Sequence, residues 1–272
     1  MDDTVRLAEF IYRHLHVIGE LTCTMDSHLP YQVFFPSAHV FSDGSYPEPF
    51  TVITEEDYRS GKYHANPLMA THLGVTQTWL NRQFTWYCAQ LKQSGKYELA
   101  VWPYHCLIGS HGHELVGLID EARLFHGFAR GAANKLAMKG SSPLTEHYSI
   151  FQPEVSKTWD GRAIPGIQKN TALLNSLLRS DYIVIAGEAA SHCLAWTTKD
   201  LLTHILSVDP KLVRKVYILR DCTSPVVVRN SAGAVLVDYT REQVKAFDEF
   251  EGAGMHVVNS TDPIDTWPGV QL

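Results

Sequence analysis

From residue 171 onward the sequence switches repeatedly between two hydrophobic periods, and that alternation restricts the fold more than any other feature of the chain. "TALLNSLLRS" (171–180) spaces its leucines as a helix does, and "DYIVIAG" (181–187) is a short apolar run closed by glycine. "HCLAWTTKDLLTHIL" (192–206) is helical again, "RKVYILRDC" (214–222) a strand, "REQVKAFDEFEGAG" (241–254) a helix and "MHVVNS" (255–260) a strand. Strands separated by helices run parallel, with helices over both faces. The expected fold is therefore α/β, a three-layer α/β/α sandwich with a mostly parallel, doubly wound sheet.

The first half supplies further elements of the same kinds. "VRLAEFIYRHLHVI" (5–18) is an amphipathic helix, and "ELTCTMDSH" (20–28) alternates as a strand does. "YELAVWPYHC" (97–106) is a second strand candidate, "GHELVGLIDEARLFHGFAR" (112–130) a helix and "KLAMKG" (135–140) extended. Residues 31–70 and 141–170 are rich in Pro, Gly and aromatics without a period, and are expected to be long functional loops. With 45% hydrophobic and 19% charged residues, the chain is expected to form one domain over residues 1–272.

The same totals exclude several functions. A net charge of −6 argues against nucleic acid or an anionic membrane as partner. No apolar run approaches the roughly 20 residues of a membrane span, and "MDDTVRLAEF" does not read as a secretory signal. Five widely spaced cysteines without a C-x-x-C point to reduced thiols in a cytoplasmic compartment.

Cys193 stands where an apolar strand ends, past the small residues Gly187, Ala189, Ala190 and Ser191, and where a helix begins. Parallel sheets bind ligands beyond the carboxyl ends of their strands. Unpaired amides and the helix dipole there lower a thiol's pKa, and the amides near Ala189 and Cys193 can hold an oxyanion. The bland alternative is a small buried thiol. In "TMDSH", Asp26 and His28 project to one side of an extended segment, which suits a carboxylate–imidazole pair on one divalent ion. An ordinary turn after a strand is the alternative there.

"VIAGEAASHCLAWTTKDLL" resembles the nucleophile segment of the isochorismatase-like cysteine hydrolases, which include the nicotinamidases; Gly187, Ala189, His192, Cys193, Thr197 and Asp200 match, and Glu188 replaces an apolar residue. "VWPYHCLIGSHGHELV" resembles the segment in which a histidine, here His105, binds metal and a tryptophan, here Trp102, stacks on a pyridine ring. "AMKGSSPLTEHYSIF" resembles the segment that carries the catalytic lysine, here Lys139, with Tyr148 and Ser149 near the pocket. A lysine before glycine is otherwise a solvated charge; beside a thiol its ammonium favours the thiolate.

The resemblance implies hydrolysis of a small amide, nicotinamide being the leading case, by Cys193, Lys139 and the Ala189 amide. Trp102 and Tyr148 would meet the substrate. One zinc, iron or manganese ion would sit on Asp26, His28 and His105, with His39 coming too late in the chain for the further histidine usual in metal-binding nicotinamidases. A homo-oligomer is expected, acting on a small-molecule amide, with no nucleic acid or membrane as partner. Another amide or ureide as substrate, and a non-catalytic binding or scaffold protein, are the alternatives. The resemblance also implies an aspartate at the end of a first strand, ahead of the first helix. Asp2 and Asp3 follow no apolar strand, so neither is assigned that role. The expectation is that this strand precedes Met1, on roughly 20–40 further residues.

Overall fold

The computed structural model describes residues 2–132 and 134–272. Helix α1 (Asp2–Arg13) places Asp2 and Asp3 in its first turn and Arg13 in its last, matching the helix dipole, and buries Ala8, Phe10 and Ile11. Strand β1 (Thr22–Asp26) follows. The next stretch holds β2 (His39–Val40), β3 (Val52–Ile53), α2 (Glu55–Arg59), β4 (His64–Ala65), α3 (Pro67–His72), α4 (Gln77–Gln93) and β5 (Leu99–Ala100). Then come α5 (Gly117–Arg130), β6 (Lys135–Lys139), α6 (Thr171–Leu178), β7 (Ile183–Ile185), α7 (Cys193–Val208) and β8 (Val216–Leu219). A hairpin of β9 (Val227–Arg229) and β10 (Val235–Asp238) leads to α8 (Thr240–Ala253) and β11 (His256–Val258).

The layers can be read from one strand. Val216 and Ile218 of β8 enter a core shared with Leu174 of α6, Leu201 and Ile205 of α7, and Phe247 and Phe250 of α8. The alternate residues Tyr217 and Leu219 face Phe10 of α1, with Ile264 and Trp267. Helices therefore cover both faces of β7–β8–β11, which pair in parallel, and the α/β sandwich is as expected.

β1 pairs in parallel with β6 as a separate ladder, with Asp26 opposite Lys139. Among the described residues β1 pairs only with β6, and β7 only with β8, so each keeps one open edge. Leu136 and Met138 of β6 are 48% and 69% exposed, unusual for a parallel sheet.

Two expectations change. The strand over 97–106 shrinks to Leu99–Ala100 and pairs antiparallel with β3, because Pro103 ends the extended run. Residues 31–70 are not one long loop. They fold with α4, a helix absent from the sequence-based expectation, around Val33, Phe34, Phe35, Tyr58, Met69, Phe84 and Tyr87. The stretch 141–170 does lack helices and extended strands. No described helix is long and apolar enough to cross a membrane.

Candidate active site

The register of β1 on β6 brings Asp26 and Lys139 together at the carboxyl ends of two parallel strands. The Lys139 ammonium pairs with Asp26 Oδ1. It also donates to the His147 carbonyl at 2.7 Å and to Cys193 Sγ at 3.3 Å. A carboxylate, an ammonium and a thiol thus form a chain drawn from three elements. The sequence alone leaves the acid unassigned; the structure sets Asp26 beside Lys139, while Asp3 is engaged by Arg6 and Ser224.

Cys193 opens α7, where the first N–H groups of a helix lack intrahelical partners. The preceding loop is fixed by Gly187 N–H to Cys222 O (3.0 Å), Ala190 N–H to Ser224 O (2.8 Å) and the Thr223 hydroxyl to Gly187 O (2.5 Å). The Ala189 carbonyl accepts from His192 and Leu194, and the Glu188–Ala189 peptide is cis. Neither the Ala189 nor the Cys193 N–H donates to a described backbone carbonyl, so both remain candidate oxyanion donors.

The expectation of a thiol acidified at rest is corrected. Burial pushes Cys193 up to about 12, outweighing the Lys139 ammonium, which pulls the other way. Lys139 is itself buried, yet the neighbouring Cys193 and Asp26 hold its pKa above the ordinary lysine value. Burial works against ionising Asp26 too, and Lys139 keeps its carboxyl below the usual range. The resting site is therefore an ion pair beside a neutral thiol.

Asp26, His28 and His105 each offer a ligand atom, all within 4.8 Å of one another. His28 Nδ1 meets the Gly140 carbonyl at 2.9 Å and His105 Nδ1 meets the Pro103 carbonyl at 2.7 Å. A carbonyl on Nδ1 fixes the tautomer that leaves Nε2 free to bind a metal. Burial lowers His28 to about 4, so its imidazole is neutral at pH 7. These residues fit a divalent ion. Gly140 belongs to the seat: its φ is +80, and a Cβ on it would lie only 2.6 Å from His28 Cε1. His39 is not part of it. Its two nitrogens are taken by the Tyr58 hydroxyl and the Val33 carbonyl, a structural arrangement.

Trp102 and Tyr148 both approach His192, with ring centroids 5.6 and 5.2 Å away. Tyr97 and Tyr239 complete an aromatic box around that imidazole at 4.9 and 4.5 Å. Burial lowers His192 to about 4, and its Nε2 is buried without a hydrogen-bond partner. The sequence motif includes His192 without giving it a role; its position directly before Cys193 was the available signal. Thr197 and Asp200 of α7 secure the Tyr148 segment, accepting from Ile150 N–H at 3.2 Å and the Gln152 amide at 2.7 Å.

No protein-family model matches the chain, and no curated protein matches it by sequence. Solved structures do. A nicotinamidase/pyrazinamidase of Acinetobacter baumanii aligns over 96% of this chain and 86% of its own, with TM-score 0.51 and 17% identity. The yeast nicotinamidase bound to the inhibitor nicotinaldehyde aligns over 94% of this chain and 87% of its own, with TM-score 0.53 and 18% identity. The chain shares the fold of these two structures.

Proposed function

We propose that the chain hydrolyses a small carboxamide through Cys193, with nicotinamide, giving nicotinate and ammonia, as the leading substrate. One observation carries the reading: the Lys139 ammonium touches both the Cys193 sulfur and the Asp26 carboxylate. Both fold neighbours named above are nicotinamidases, and Trp102 stands one aromatic contact from the residue preceding the thiol.

Cys193 starts as a thiol. As sulfur attacks the carboxamide carbon, its proton passes to Lys139 while Lys139 gives one to Asp26, so the lysine stays charged. The carbonyl oxygen gains the electron pair and is held by the Ala189 and Cys193 N–H groups. The carbon–nitrogen bond breaks, and the proton on Asp26 returns through Lys139 to the departing nitrogen, which leaves as ammonia. Water then attacks the thioester, giving up one proton to restore the Cys193 thiol and releasing the acid. Asp26, His28 and His105 would hold a zinc, iron or manganese ion, whose positive charge orients a lone pair of the substrate.

The test is ammonia release from nicotinamide, other small amides and ureides, with metal content measured in the same preparations. Release from nicotinamide above the panel supports the specific reading, and release only from another amide keeps the reaction but moves the substrate. No release from any of them, with Cys193 labelling no faster than a free thiol, supports the second reading, a binding protein. The desolvation that raises the Cys193 pKa is what favours that alternative.

A further inference from the structure

The Asp26 carboxylate has two oxygens, and each faces a different site. Oδ1 is buried against the Lys139 ammonium, which in turn reaches Cys193 Sγ at 3.3 Å. Oδ2 lies 3.9 Å from His28 Nε2, and Asp26 joins His28 and His105 in a group whose ligand atoms lie within 4.8 Å of one another. Among the described residues Asp26 is the one acidic side chain ion-paired with Lys139, and also the one acid in the three-residue metal group. A single carboxylate therefore belongs to both the metal seat and the thiol chain.

We infer that Asp26 couples the two sites, so that a divalent cation on Asp26, His28 and His105 makes Cys193 a faster nucleophile. The inference rests on the proposed roles of those residues, but not on any amide being hydrolysed. The physical basis is competition for one ammonium. With the seat empty, Lys139 is balanced by Asp26, and negative charge forming on sulfur meets a nearby anion. In alkylation by an external reagent the thiol proton is lost to solvent and not to Asp26. A cation on Oδ2, by taking up that anion's charge, therefore leaves the ammonium to balance the sulfur, and its own field acts in the same direction. Reactivity of a thiol follows its thiolate fraction.

Manganese(II) is the suitable probe, because it prefers oxygen and nitrogen donors to thiolate. The full chain, stripped of metal, is treated with iodoacetamide, and the Cys193 peptide is followed by mass spectrometry with and without manganese. The expected result is an acceleration of about tenfold or more, the consequence of one pKa unit, saturating at one ion per chain. The response should be lost in His105→Ala and in Asp26→Asn, with circular dichroism confirming that each variant is folded. Manganese bound at one per chain with labelling unchanged or slowed would overturn the coupling, and so would failure to retain any ion. Labelling that responds to manganese in a protein that releases no ammonia from any amide would refute the proposed function and leave the coupling standing. Hydrolysis without a labelling response would do the reverse.

Discussion

Two parts of the molecule are built on opposite principles. The aromatic unit over residues 31–101 is made of two-residue antiparallel pairs and the helix α4, packed on Phe34, Phe35, Tyr58, Phe84 and Tyr87. The α/β part is made of parallel strands whose partners are far apart in sequence, such as β1 with β6. The two parts use the same residue types differently. His39, in the aromatic unit, spends both nitrogens on its neighbours, whereas His28, at the end of β1, spends one and keeps the other for the site. Parallel strand ends leave side chains without local partners, and chemistry needs such groups. The aromatic unit contributes a wall: Phe34 and Phe35 lie 4.9 and 5.9 Å from the His28 ring.

This division can be broken by experiment. The largest effect is expected for Cys193→Ala, which should lower hydrolysis by more than about a thousandfold, roughly 4 kcal/mol of barrier, with the melting temperature nearly unchanged. Residual activity within about tenfold of the parent would place the nucleophile elsewhere. Phe84→Ala is the converse case. Phe84 is fully buried against His39 and Tyr58, so its loss should cost about 3–5 kcal/mol in denaturant unfolding. Turnover per folded molecule should hold; a collapse of turnover in the still-folded variant would mean that the aromatic unit shapes the reaction itself.

Gly140→Ala should act in the middle range. A methyl at Gly140 meets His28 Cε1 at 2.6 Å and strains a backbone at φ +80, so ion affinity in a metal titration should fall by about tenfold or more. Unchanged affinity would remove His28 from the seat. The smallest effect is on pH. Burial lowers His28 and His39 to about 4, below the ordinary 6.5, so each folded imidazole binds fewer protons than the unfolded one between those values. Stability is then full above about pH 6.5 and is lost as pH falls toward 4; between pH 7 and 6 the loss is under about 1 kcal/mol for each histidine. His39→Gln should flatten that slope in urea titrations while sparing metal binding, if the two histidines have the separate duties described.

Much of the α/β part was legible in the sequence because its signals are local. The helical spacing of 192–206, the strand period of 20–28 and the small residues before Cys193 each depend on a few neighbours, and α7, β1 and the thiol lie where these signals put them. The unit over 31–101 was not legible. Its strands are only two residues long, too short to show a period, although Leu80, Phe84, Cys88 and Leu91 do fall on one face of α4 behind the Thr76 cap. The partial burial of Cys193 was equally hidden, since no local signal shows what packs over a helix start.

The sequence by itself determined the residue types and the class of fold: a thiol at a strand-to-helix junction, a carboxylate and an imidazole on one side of a strand, and an alternation that calls for a parallel sheet. Tertiary structure decided which of these groups meet. Asp26 and Lys139 are 113 residues apart, and they pair because β1 and β6 adopt a register with those two residues opposite. A shift of one residue would turn every side chain of a strand to the other face. Such a register is set by packing over the whole sheet and not by the residues it joins. The sequence offered Asp26 only as a metal ligand beside His28, and only the folded chain set its carboxylate against Lys139.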